Sequence, residues 1–206
     1  MHARVAAFEN REMSRVDDLV QILRERAGDE EPVRGALAMY MLIDRSAGTA
    51  LGVSLFENEE AIKAVEPEFE RLGDEIPEEL RGRRISVDVF EVALHEVAEG
   101  AKAARVSNFT APTDAVDEMF RNAEENILPE AREIDGWKGA IGLVDRRTGA
   151  SKLITLWEST EALHASERIA DELRERSAQH AGGSIGSIER FEVPLMFDRA
   201  PKLIAH

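Results

Sequence analysis

The chain has 206 residues, enough for one large domain or two of about a hundred, either able to bury a core. Its 41 acidic against 26 basic side chains leave a formal charge of −15, which disfavours phosphate backbones and anionic lipid heads as partners. With no cysteine, a disulfide framework, a zinc–cysteine site and a thiol nucleophile are excluded.

In chain order, the short apolar run Arg4–Glu9 reads as a strand. Val16, Leu19, Val20 and Leu23 then recur at helical spacing. Gly35 breaks the chain before a strand over Leu37–Asp44. Arg45-Ser46-Ala47-Gly48 suits a hairpin whose glycine takes a positive φ, and Leu51–Glu57 is the returning strand. Asn58 is placed to cap a helix with the apolar stripe Ile62, Val65, Phe69 and Leu72. Ile85–Leu94 closes the unit as a strand.

The same order then repeats. Sliding the chain over itself by 101 residues gives 22 identities over residues 3–94 without a gap, where composition alone gives roughly six. Ala3-Arg4-Val5 returns as Ala104-Arg105-Val106, Asp44-Arg45 as Asp145-Arg146, and Phe90-Glu91-Val92 as Phe191-Glu192-Val193. The second copy has a strand at Arg105–Thr110 and a helix through Val116, Phe120, Ala123 and Ile127. A hairpin follows, Ala140–Asp145 with Leu153–Glu158. Ser159 or Thr160 caps a helix with the stripe Ala162, Ala165, Ile169 and Leu173, and Ser187–Leu195 is the last strand. Each copy is therefore β-α-β-β-α-β, the ferredoxin-like order, in an α+β protein. The polar joint Glu96–Ala103 divides the chain into units 1–97 and 98–206.

The run Gly136-Trp137, Leu143-Val144-Asp145-Arg146-Arg147-Thr148-Gly149, Ile154-Thr155-Leu156-Trp157-Glu158-Ser159 and Glu161-Ala162 resembles the antibiotic biosynthesis monooxygenase-like group of dimeric α/β-barrel proteins. The first copy carries the same frame in weaker form. The resemblance implies a barrel of two ferredoxin-like units, here on one chain as an intramolecular pseudo-dimer, acting as a monomer or pairing with another chain as a homodimer. It also implies a cofactor-independent monooxygenase of a small hydrophobic or aromatic compound, so no cofactor is expected. The reading from a different class is a non-catalytic protein that binds a small ligand or serves a structural role.

Six residues are the site candidates. Asn108, opposite Ala7 in the first copy, is a polar residue on the strand face of Ala104 and Val106 and would orient a substrate oxygen. His164, opposite Lys63, and Tyr40, the sole tyrosine, would move protons. Trp157, Trp137 and Phe109 would wall the pocket, Trp157 also being a natural packing residue because Phe56 stands opposite it. Related haem-degrading enzymes add a tryptophan and a histidine to an asparagine on this strand, but their places fall near Ser166 and Arg176, so haem degradation is not expected. No metal site is expected, because no carboxylate–histidine cluster has ligand spacing. The repeated Arg4 and Arg105 could meet across the pseudo-twofold and bind an anion, or pair with the repeated Glu91 and Glu192; structural ion pairs at the barrel seam are the expectation. No signal peptide or spanning run is visible, which leads to the expectation of a soluble, cytoplasmic protein.

Overall fold

The computed structural model describes residues 1–9, 13–27 and 33–203. The first copy consists of β1 (His2–Glu9), α1 (Val16–Ala27), β2 (Ala38–Asp44), β3 (Thr49–Phe56), α2 (Glu59–Glu75) and β4 (Arg83–Val97). The second consists of β5 (Ala103–Thr110), α3 (Val116–Asn122), a π-helical turn (Ala123–Ile127), α4 (Leu128–Arg132), β6 (Trp137–Asp145), β7 (Ala150–Trp157), α5 (Thr160–Ala165), α6 (Glu167–His180) and β8 (Ser184–Asp198). The strands hydrogen-bond in the order β1-β3-β2-β8-β5-β7-β6-β4 and close into an eight-stranded barrel. Two tandem ferredoxin-like units thus make a pseudo-dimeric α/β barrel on one chain. No helix among the described residues is long and apolar enough to cross a membrane.

The compact units are residues 1–90 with 193–200, and residues 91–192 with 201–206. In the first, β1 and β2 flank β3 antiparallel, Val5 opposite Val53 and Leu42 opposite Leu51. Val33, Ala36, Phe56, Ile62 and Val65 form one apolar cluster with Phe69 and Leu72 packed on it, so the helical stripe reaches the core as the spacing requires. In the second, β7 lies between β5 and β6, with Val106 opposite Ile154 and Ile141 opposite Ile154. The first part of β8 pairs with β5, and the last part of β4 pairs with β6.

The local signals act as their chemistry demands. Gly48 and Gly149 end the two hairpin turns at φ +70° and +74°. A side chain at Gly149 would also put its Cβ 1.9 Å from the Ala111 carbonyl oxygen, so both space and φ require glycine there. Asn58 and Ser159 accept from the Ala61 and Ala162 amides at 2.9 and 3.1 Å, capping α2 and α5. One expectation changes. The second copy's helix is interrupted at Ser166, whose hydroxyl donates to the Leu163 carbonyl at 2.7 Å. The interruption turns the buried stripe to Leu163, Ala170 and Leu173, and leaves Ala165 exposed.

Candidate functional site

Strand alternation decides what the second unit offers to its helices. On β5, Arg105, Ser107 and Phe109 share one face; on β7, Leu153, Thr155 and Trp157 do the same. With Trp137 and Ala140 of β6 they form the floor of a cavity of about 50 Å³. Its roof is helical: Ala123, Ile127, Leu128 and Ala131 on one side, Ala170, Leu173, Arg174 and Ser177 on the other.

The roof contains an irregularity with a chemical cause. Leu128 donates its amide to the Ala123 carbonyl, five residues back, and closes the wide π turn. Pro129 follows and brings no N–H of its own. Ala123 and Ile127, the ends of that turn, both line the cavity. Such bulges in otherwise α-helical segments are frequent at functional sites.

Two aromatic rings make the firmest wall. Trp137 and Trp157 meet edge to face, centroids 5.4 Å apart at 85°. The Trp157 indole donates to Thr155 Oγ1 at 3.1 Å, so its one polar atom is satisfied although the residue is buried. Phe109 is buried further along β5, opposite Ser151, and lines the cavity there.

Two arginines complete the lining, and both are inside the protein: Arg105 is 1% and Arg174 5% exposed. Arg105 Nη2 donates to the Leu163 carbonyl at 2.8 Å and Ser166 Oγ at 3.0 Å, and lies 3.1 Å from Glu167 Oε1. Its guanidinium sits 5.5 Å from the Trp157 ring centre. Glu167 also accepts from Arg190 at 2.6 Å and lies 3.9 Å from Arg174, whose main partner is Asp171. Burial pushes Arg105 below the usual guanidinium range against the pull of Glu167, with Arg174 and Arg190 adding repulsion. For Glu167 partial burial opposes ionisation, but the hydrogen bonds from Arg190 and Arg105 outweigh it and hold the carboxyl at about 2.

The first copy contains the matching pair with a different outcome. Arg4 donates Nε and Nη2 to the two carboxylate oxygens of Glu66 at 2.9 and 2.7 Å. Glu66 and Glu167 are 101 residues apart, as are Arg4 and Arg105. The expected ion pairs are therefore real but their partners are corrected: each repeated arginine reaches across to the second helix of its own copy. Glu91 belongs instead to Arg146, at 2.7 and 3.1 Å. The reason is face: Arg4 and Arg105 point to the helices.

The six predicted residues divide. Trp137, Trp157 and Phe109 line the cavity together. Asn108 is on the other face of β5, where Nδ2 donates to Ser187 Oγ at 2.8 Å and Glu189 at 3.2 Å, and Oδ1 accepts from Lys152 at 2.6 Å. His164 is an exposed residue of α5. Tyr40 is buried in the first unit and donates to Asp198 Oδ2 at 2.5 Å; burial and then that carboxylate push its phenol above the ordinary value. Ala170, Arg174 and Glu167 were not singled out by sequence, although the 101-residue offset sets Ala170 against Phe69 and Arg174 against Gly73.

No protein-family model matches the chain. The uncharacterized protein Rv2557 of Mycobacterium tuberculosis is 28% identical over 174 residues, covering 82% of this chain and 77% of that protein. Among solved structures, an anthrone oxidase-like protein superposes over 100% of this chain and 96% of its own, with TM-score 0.64 and 14% identity. A ferredoxin-fold protein of Listeria monocytogenes, described as related to antibiotic biosynthesis monooxygenases, gives TM-score 0.52 and 11% identity over 94% and 95% of the two chains. At such identities the likeness is one of fold. The shared feature is the ferredoxin-fold barrel, which this chain builds from a tandem duplication.

Proposed function

We propose that the protein binds a small, partly apolar compound in the cavity of its second copy. The observation that carries this reading is the pair of matched positions Phe69 and Ala170. In the first copy Phe69 packs on Phe56 at 6.2 Å and stacks on Arg4 at 4.1 Å. In the second an alanine stands there, and the space between sheet and helices is open to a ligand.

Its size narrows the class. A water's share of liquid volume is about 30 Å³, and an engineered apolar cavity of about 150 Å³ holds benzene. A cavity of about 50 Å³ takes a few non-hydrogen atoms, so small compounds fit it better than polycyclic phenols. The groups that would move protons in a monooxygenase stand elsewhere, Asn108 across the strand, His164 at the surface and Tyr40 in the first unit. These placements favour the binding protein over the cofactor-independent oxygenase.

The chain's two tryptophans both line the cavity, which gives a direct readout. Small alcohols, amides and acids are titrated against tryptophan fluorescence and thermal unfolding. A binding compound is expected to shift both, and Ala170→Phe, which restores the first copy's residue, is expected to abolish the shift while circular dichroism stays unchanged. Equal binding by the variant would remove the cavity from the proposal. Oxygen consumption on each bound compound separates binding from oxygenation; no uptake above the buffer rate is expected.

A further inference from the structure

The two buried arginines at the cavity carry more N–H donors than their protein partners accept. Three guanidinium groups, of Arg105, Arg174 and Arg190, share the carboxylates of Glu167 and Asp171. Arg105 Nε and Nη1 and Arg174 Nε are buried without a protein acceptor. Both side chains line the cavity and are more than nine-tenths buried. Buried N–H groups of charged residues are rarely left unmatched, because each has given up water without replacing it.

The first copy supplies the control. There the buried Arg4 meets both oxygens of Glu66, Gly73 stands in place of Arg174, and Phe69 fills the space left by Ala170. On its second helix the second copy therefore gains a cation, Arg174 for Gly73, one turn from the ring it loses, Ala170 for Phe69; Arg190 for Val89 and Trp137 for Ala36 are further replacements. An anionic ligand accounts for the gained cation and the lost ring at once. Its charge offsets the added guanidinium, its oxygens accept the unmatched N–H groups, and its body occupies the vacated volume against Trp137 and Trp157.

We propose that the cavity's ligand is a small carboxylic acid, bound as its carboxylate by Arg105 and Arg174 with the apolar part against the two tryptophans. A carboxylate fits the donors, since its two oxygens accept several N–H bonds in the plane that a guanidinium presents. The inference rests on the reading of the cavity as a binding site, and the acid is its added content.

Acetate with acetamide, and propionate with propionamide, are nearly isosteric pairs differing in charge. Each is titrated at pH 7 by tryptophan fluorescence and calorimetry against the wild type, Arg174→Gly and Arg174→Gln. The expected result is an acid bound at least tenfold more tightly than its amide in one pair, with that preference lost in both variants and the amide unaffected. The glutamine variant keeps a side-chain stem in place if glycine loosens the helix, and circular dichroism confirms the fold of each. Acid and amide binding equally would overturn the acid while leaving the cavity reading intact. Binding of no compound in either pair would overturn both.

Discussion

The two copies share a backbone order and a buried arginine paired with a glutamate, yet they surround that arginine differently. In the first, Phe69 lies over Arg4, and Glu66 takes both of its outward N–H groups. In the second, Ala170 removes the ring, Arg174 adds a cation, and Glu167 is divided between Arg105 and Arg190. A π turn at Ala123–Ile127 lies in the roof. After duplication, one copy of a fold is free to keep the packing that holds the protein together while the other gives up packing for a cavity. An alanine at a core position removes dispersion contacts along with the ring, so such a cavity has a stability cost.

The largest test of this contrast is to make the first copy resemble the second. Phe69→Ala takes away a half-buried ring from α2 and should lower stability by about 2–3 kcal/mol. For a chain of this length that is a fall in melting temperature of roughly 5–10 °C, read by calorimetry. A loss below about 0.5 kcal/mol would mean that the first copy is not filled in the way described.

The divided glutamate predicts an acid-dependent term. The folded Glu167 carboxyl is held at about 2 against an ordinary 4.5, so its contribution is fully present above pH 4.5 and is lost as pH falls towards 2. With the side chain a quarter exposed, the screened contribution is about 2 kcal/mol. Glu66 is also lowered, first by its hydrogen bond from Arg4. Urea unfolding of Glu167→Gln and Glu66→Gln between pH 6 and 3 compares the two: the Glu167 variant should lose more of the pH dependence.

The smallest effects should be equal in the two copies. Asn58→Ala and Ser159→Ala each remove one helix-capping bond of the same geometry, and each should cost about 1 kcal/mol in chemical denaturation. A clear difference between them would show that the interruption at Ser166 alters how firmly the second copy's helix is held at its start.

Much of this was legible in the chain. The 101-residue offset, the glycines closing the hairpins and the caps at Asn58 and Ser159 are local or periodic signals, and backbone sterics and orphan amides enforce them wherever they occur. Alternation also put Asn108 correctly on the face opposite Arg105 and Phe109. What alternation does not say is which face the helices cover to make a cavity. The aromatic wall was visible as residue types, whereas Ala170 is an inconspicuous residue whose meaning comes from what is missing beside it.

The sequence by itself determined the repeat, the element order and the resemblance to a ferredoxin-like barrel, because these follow from spacing, turn chemistry and hydrophobic period. The partners of Arg4 and Arg105, the separation of Asn108, His164 and Tyr40 from the cavity, and the unmatched N–H groups of Arg105 and Arg174 were decided only by tertiary structure. Ion pairing and burial depend on distances between side chains far apart in the chain, and those distances exist only once the helices have docked on the sheet.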